Sequence, residues 1–289
     1  MRLVTFVHQG QARLGALNAA GTAVIDLNRA EPRLPAGMIA FLQAGPEARS
    51  LAEQVVAAAP AEATLPLSAV QLKAPVPCPG KIICIGLNYR DHAAEARLPV
   101  PDYPAVFAKY GNAVIGPGEA IVHPRISQEV DYEAELGVVI GRRAKAVPEA
   151  AAPDYVAGYL IFHDVSARDY QNRTSQWVIG KTFDTFAPMG PALVTADEVP
   201  NPNNLDIRLS IGGEVLQSSN TRNLIFNVQQ LIMHLSAVMT LEPGDVIATG
   251  TPGGVGFSRR PPRWLRPGDV VRIEIERLGV LENPVIAEL

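Results

Sequence analysis

The chain has 289 residues, 47% of them hydrophobic and 19% charged, with a formal net charge of -4. That length buries a large core in one large domain or a large and a small one, and a net negative chain without a Lys/Arg run argues against nucleic acid or anionic membranes as partners. Residues 1–10 lack the apolar stretch of a secretory signal, residues 224–241 are interrupted by Asn227, Gln229, Gln230 and His234, and two cysteines, Cys78 and Cys84, are too few for a disulfide framework or a four-thiolate zinc site, so the expectation is a soluble protein of the reducing cytoplasm that handles small molecules.

In chain order, residues 2–7, 13–17 and 22–26 read as short strands, and residues 38–43 and 47–58 as helical, with Gly45-Pro46 between them. No catalytic constellation appears there, and residues 1–73 are expected to form a small α/β domain that props or covers the rest. The proline-rich stretch 74–80 lacks backbone donors and resists regular structure, as a boundary does. Residues 81–86 form a continuous apolar run, expected as a buried strand. His92 and Glu95 follow, three apart and therefore neighbours on a helix. They are either half of a general-base device, with the carboxylate orienting the imidazole, or an ordinary surface pair. Three prolines in residues 98–104 suit a shaped loop or lid.

Residues 131–140 organise the chain. Tyr132, Ala134, Leu136, Val138 and Ile140 occupy one parity and Asp131, Glu133 and Glu135 the other, which predicts a strand with an apolar back and an acidic front. The front is either fully wet or gathered around a hard divalent cation, because like charges in a row on one strand face repel. A second apolar strand over 156–163 runs into Asp164. Ser166-x-x-Asp169 has the form of a capping box and predicts a short helix carrying Arg168 and Gln171, with Arg168 either functional or a surface charge. Lys181, among small, aromatic and turn-forming residues, is either an anion binder or an exposed strand-end charge.

Residues 205–211 and 214–217 flank Gly212-Gly213 as a hairpin, and apolar spacing from Leu224 predicts a core helix on which His234 is structural. Pro-Gly turns at 243–244 and 267–268 each launch a strand. Between them, the glycine-rich residues 249–256 bring unshielded backbone N–H groups within reach of an anion, without the Gly-Lys-Ser/Thr of a nucleotide loop. A second Glu-x-Glu, Glu274 and Glu276, has no acid, lysine or anion loop beside it and reads as a solvated strand face.

Four ordered motifs, Asp-Tyr-Glu-Ala-Glu-Leu-Gly from 131, His-Asp-Val-Ser-Ala-Arg-Asp from 163, Gly-Lys-Thr-Phe-Asp-Thr-Phe from 180 and Thr-Gly-Thr-Pro-Gly-Gly-Val-Gly from 249, resemble the fumarylacetoacetate hydrolase family over roughly residues 75–289. The resemblance implies an α+β, mainly β fold, with a β-roll catalytic domain over 74–289 behind the small N-terminal domain, and a homodimer. It implies Mg²⁺ or Mn²⁺ held by Glu133, Glu135 and Asp164, and Lys181 as a catalytic cation. Arg168, Gln171, Thr251 and Gly250 are the implied substrate contacts, and His92 with Glu95 the water-activating pair. The chain looks closer to the acylpyruvate hydrolase, oxaloacetate decarboxylase or tautomerase, and hydroxy-diene-dioate isomerase branch than to enzymes cleaving fumarylacetoacetate itself.

Three monodentate carboxylates leave about three positions of an octahedral cation open, enough for the carboxylate and keto oxygens of a 2-oxo acid and a water. An enolate stabilised there serves hydrolysis, decarboxylation and tautomerisation alike. Cation and carboxylates sum to +2 - 3 = -1, so a water in such a site should be less acidic than at a neutral-ligand zinc, and hydrolysis calls for a separate base, His92. The leading expectation is a metal-dependent hydrolase of carbon–carbon bonds in acylpyruvate-like 2,4-dioxo acids. The alternatives are an isomerase, tautomerase or decarboxylase of 2-oxo dicarboxylates such as oxaloacetate, and a catalytically silent dicarboxylate binder.

Overall fold

The computed structural model describes residues 1–289 and places the strands in two main sheets. The larger, 12-stranded sheet runs in the order Thr64–Pro66, Ala23–Asp26, Gln11–Leu17, Arg2–His8, Ala187–Thr195, Val156–His163, Ala134–Ile140, Val246–Ala248, Ile82–Gly86, Ala105–Lys109, with two short strands off this path. The smaller sheet has five strands, Glu214–Asn220, Asp206–Ile211, Val270–Ile275, Gly279–Ala287 and Ile121–His123. It lies against the larger one, Val270–Ile275 meeting Val156–His163 and Asp206–Ile211 meeting Ala134–Ile140. The α+β, mainly β expectation holds. Leu3, Ile25 and Phe41 from the first 73 residues share one buried cluster with Leu136, Ile161 and Ile273, and Arg2–His8 continues the large sheet by pairing with Ala187–Thr195.

The three N-terminal strands form at the short runs that predict them, and the helical runs join as Met38–Ala58, kinked where Gly45 takes a φ of 75° ahead of Pro46. Proline has no N–H to continue the ladder, and glycine takes the left-handed turn without strain. The C-terminal core helix starts later than its apolar spacing suggests, at Val228, with an Asn227/Gln230 capping box. Residues 224–226 are claimed by another partner: the Ile225 N–H donates to the Asn88 carbonyl and the Phe226 N–H to the Asn88 side chain. Tertiary hydrogen bonds override helix periodicity there.

Strand direction positions the site. Val156–His163 is antiparallel to Ala134–Ile140 with Ala134 opposite His163, and Val246–Ala248 is antiparallel to the same strand with Gly137 opposite Ala248. Ile82–Gly86 runs parallel to Val246–Ala248. One end of the sheet therefore gathers Glu133 and Glu135, Asp164 just past its strand, the glycine loop from Thr249, and the segment leading from Gly86 into the helix Arg90–Ala96.

Candidate active site

The acidic stretch is not one continuous strand. Val130–Asp131 pairs with Ser166–Ala167, and Ala134–Ile140 pairs separately, so Asp131 leaves the row that parity gave it. Every residue from Val130 to Ile140 is buried, and the acidic front is not a solvated face. Glu133, Glu135 and Asp164 are 5%, 1% and 0% exposed, and each offers an oxygen within 4.8 Å of the others.

Three buried cations offset the carboxylates. Lys181 Nζ bridges Glu133 Oε2 at 2.7 Å and Asp164 Oδ2 at 2.8 Å. Lys109 Nζ donates to the other Asp164 oxygen at 2.6 Å. Arg168 donates through Nη2 to Glu133 Oε1 at 2.6 Å, through Nε to Asp131 Oδ2 at 2.9 Å and through Nη1 to Gln171 Oε1 at 2.8 Å. Burial alone would raise the Glu133 pKa, but Lys181 and Arg168 outweigh it and hold the carboxyl well below its usual range. Glu135 has no such cation. Burial, then the Asp164 and Glu133 charges, push its pKa well above the usual range, and its one hydrogen bond is from the Gly250 N–H at 2.8 Å.

This donor set fits a hard divalent cation. Glu135 is a buried carboxylate without a positive partner, and Glu133 and Asp164, with about four lone-pair sites each, have acceptor capacity beyond their lysine and arginine bonds. The charge sum of -1 changes once the neighbours are counted. Asp131 adds one negative charge and Lys109, Arg168 and Lys181 three positive ones, so a divalent cation would bring the buried cluster to +2 - 4 + 3 = +1. The sum of -1 behind the expectation of a weakly acidic water counted the carboxylates alone and omitted these buried cations.

The His92 and Glu95 pair sits on the helix Arg90–Ala96, with His92 buried in the cavity lining and Glu95 exposed beside it. Nδ1 and Oε2 stand 3.5 Å apart, an ion-pair distance too long for a good hydrogen bond, and Nδ1 has no hydrogen-bond partner. The Glu95 carboxylate instead accepts the Gly254 N–H at 3.0 Å. Burial works to raise the Glu95 pKa, but His92 and that amide together leave it lowered.

The glycine loop does bind anions, and they are the protein's own carboxylates. Gly250 donates to Glu135, Gly253 to Asp91, Gly254 to Glu95, and Gly256 and Phe257 to Asp131. The Gly250 N–H expected for substrate is thus given to an acid of the cluster. Gly250 also has a φ of 102°, with Asn88 Cβ 2.7 Å from where a Cβ would stand, so only glycine fits. The Thr251 hydroxyl donates to the Ala134 carbonyl and accepts from Gln217, leaving it no proton for a substrate. Ser166 and Asp169 form no capping box: Ser166 donates to the Asp164 carbonyl, Asp169 accepts from Ser127, and the short helix Arg168–Gln171 starts from Ala167 without a side-chain cap. Lys181 closes the short helix Val178–Lys181 and is buried, not a strand-end charge.

Glu133, Glu135, His92, Arg168, Gln171, Lys181 and Thr251 line one cavity of about 340 Å³, with Phe107, Trp177 and Phe257 among its apolar walls. Asp164 lies behind it. Lys109, Asp131 as a clamp on Arg168, and Gln217 as the tie between Ala134 and the loop were not singled out from sequence. Lys109 left one usable signal, a lone charge ending an otherwise apolar strand, Ala105–Lys109.

The family model "Fumarylacetoacetate (FAA) hydrolase C-terminal" matches residues 81–286. The chain is 48% identical over 290 residues to "Oxaloacetate tautomerase FAHD2A, mitochondrial" of Bos taurus, covering 99% of this chain and 92% of the relative. Among solved structures, a putative HpcE protein from Mycobacterium smegmatis superposes with a TM-score of 0.87 at 36% identity, covering 100% of both chains. Maleylpyruvate hydrolase from Sphingobium sp. SYK-6, in complex with manganese (II) ion and pyruvate, gives 0.83 at 35%, also over 100% of both. The cytoplasmic expectation is corrected by the oxaloacetate tautomerases of Bos taurus and Homo sapiens, whose names place them in mitochondria; two unpaired cysteines fit any reducing compartment. With a family model matched over residues 81–286 and relatives that match in sequence and fold, the chain belongs to the fumarylacetoacetate hydrolase family.

Proposed function

We propose that this protein interconverts the enol and keto forms of a 2-oxo dicarboxylic acid of the oxaloacetate type. The observation that carries this reading is how the cavity's groups are committed. Glu133, Arg168 and Lys181 are tied into ion pairs, while His92 lines the cavity with its Nδ1 turned to Glu95 at 3.5 Å, which leaves Nε2 as the ring nitrogen for proton transfer. One proton carrier suffices for tautomerisation, which moves a proton between O2 and C3 and consumes no water. The tautomerase names of relatives at 46–48% identity support the same choice.

From enol to keto, His92 takes the 2-hydroxyl proton, the freed O–H electron pair forms the C2–O2 double bond, and the C2–C3 π pair bonds C3 to the proton that His92 delivers. In reverse, His92 removes the C3 proton and negative charge grows on O2. Lys181 spends two of its three N–H bonds on Glu133 and Asp164 and retains one, with its charge, for that oxygen. Arg168 retains two of five N–H bonds, and Gln171 accepts from Arg168 through Oε1, which leaves its Nε2 to donate to a carboxylate. Mg²⁺ or Mn²⁺ bound by Glu133, Glu135 and Asp164 would supply further positive charge to stabilise an enolate. Glu95, 3.5 Å from Nδ1, faces the side of the His92 ring away from proton transfer.

Hydrolysis of acylpyruvate-like acids is the second reading, favoured by the His92–Glu95 pair and the likeness to maleylpyruvate hydrolase. The deciding experiment follows enol absorbance after adding oxaloacetate to wild type and His92→Ala, with Mg²⁺ or Mn²⁺, beside an acylpyruvate cleavage assay. Wild type should speed keto–enol exchange, and His92→Ala should slow it by roughly 10²- to 10⁴-fold. Acylpyruvate cleavage faster than exchange in wild type would establish the hydrolase instead, and an unchanged rate in His92→Ala would remove His92 from proton transfer.

A further inference from the structure

Besides the charged cluster, the cavity is lined by apolar side chains, Leu98, Ala105, Phe107 and, largest of them, Trp177. Trp177 precedes the helix Val178–Lys181 and stands four residues before Lys181, so the two leave on the same side of one turn. Phe107 meets both. Lys181 Nζ is 4.9 Å from the centre of the Phe107 ring, and the Trp177 ring meets Phe107 edge-on at 5.6 Å. The separation of the reacting cation from the Trp177 ring is therefore bounded by the sum of these two distances.

Trp177 is held by what faces it. A Cβ on Gly86 would stand 2.5 Å from Trp177 Cζ3 and 3.0 Å from Cη2, so the indole occupies the notch that a missing side chain leaves on the strand Ile82–Gly86. Gly180 acts similarly one step away. A Cβ there would meet the Gln171 N at 2.3 Å and the Ala167 O at 2.6 Å, so the glycine lets the helix Val178–Lys181 dock on Arg168–Gln171 and aims Trp177 and Lys181 into one cavity.

We propose that Trp177, seated in the notch at Gly86, is the specificity-determining residue that limits the length of acid the cavity accepts. The inference rests on the 2-oxo acid reading and names the substrate class within it: short dicarboxylates. Polar groups able to meet a second carboxylate, Arg168, Gln171 and Asn172, lie on one wall, while Leu98, Ala105 and Phe107 offer a charge nothing. An acid with an apolar tail would extend along those apolar walls and run into the indole.

The test compares oxaloacetate with a 2,4-dioxo acid carrying a phenyl tail, in wild type, Trp177→Phe, Trp177→Ala, Gly86→Ala and the double variant, reading kcat and KM for enol–keto exchange and for cleavage. One methylene of pocket space is worth about 10- to 200-fold in discrimination. Trp177→Ala should raise the kcat/KM ratio of tailed to short acid by roughly tenfold or more, chiefly through KM of the tailed acid, with Trp177→Phe between. Gly86→Ala should lower activity on both acids by pushing the indole from its notch, and Trp177→Ala added to it should restore activity. An unchanged ratio in Trp177→Ala, or in Trp177→Phe should the alanine variant not fold, overturns the inference, as does a double variant no better than Gly86→Ala. A wild type that cleaves but does not tautomerise would sink the proposed function alone, because the same ratio is then read on cleavage.

Discussion

Glu133 and Glu135 stand at the start of the strand Ala134–Ile140, Glu274 and Glu276 at the end of Val270–Ile275, and the two pairs share spacing and apolar alternates but not surroundings. Ala134–Ile140 lies mid-sheet with both faces covered, so its carboxylates are buried among Lys109, Arg168 and Lys181. Val270–Ile275 has one covered face. Ile273 and Ile275 take it, and Glu274 meets Arg272 in the open, both more than 40% exposed. A Glu-x-Glu phrase thus acquires chemistry from what distant segments bring to it. The same two carboxylates in water would be a solvated edge.

The comparison should break hardest where a buried cation is removed. Lys109→Met leaves an Asp164 oxygen unpaired at zero exposure and should cost about 3–5 kcal/mol of stability in urea unfolding, the penalty for an uncompensated buried charge. A loss below about 1 kcal/mol, the scale of an exposed pair, would mean that water or rearrangement satisfies Asp164 and that the buried pair differs little from the exposed one. Lys181→Met comes next. It should lower kcat about 10²- to 10³-fold, the loss seen for a removed oxyanion donor, while Mn²⁺ still binds. Unchanged kinetics on every active substrate would make Lys181 a structural counter-ion.

Glu135→Gln sharpens the contrast differently, because it keeps the shape and the oxygen that accepts from Gly250 while removing charge. Calorimetric titration should show Mn²⁺ affinity lowered on the order of 10- to 100-fold, at least the loss that follows removal of a supporting group around a metal, whereas Glu274→Gln should leave it untouched. Equal affinities in wild type and Glu135→Gln would take Glu135 out of the ligand set. Arg272→Met should be the smallest effect, below about 1 kcal/mol in unfolding. A larger loss would show that the exposed sheet face depends on its charges.

Local pattern carried much of the fold and the identity of the acids. Short strand-like runs between turn residues located the N-terminal strands, the continuous apolar run located Ile82–Gly86, and the Pro-Gly turns located the strands after them. Lys109 was not legible in that way, because its partner Asp164 lies 55 residues on and no local rule links a strand-end lysine to an acid in another strand. The capping box at Ser166 failed for a related reason: Ser127 claims Asp169 from outside the local segment. Asp131 had the right parity for the acidic row, but pairing with Ser166 ends its strand and turns it toward the amides of Gly256 and Phe257. Sequence reasoning placed the groups; long-range pairing decided which of them are free to meet a substrate.

The glycine loop has the composition of a segment that tolerates change, and residues 249–255 form neither helix nor strand. Its amides nevertheless hold Glu135, Asp91, Glu95 and Asp131, which come from the acidic strand, the helix Arg90–Ala96 and the short strand Val130–Asp131. A one-residue insertion would slip every one of those bonds together, so the stretch should be as closed to length variation as a core strand. Its backbone hydrogens should exchange with solvent on the slow timescale of the sheet and not on that of a surface turn.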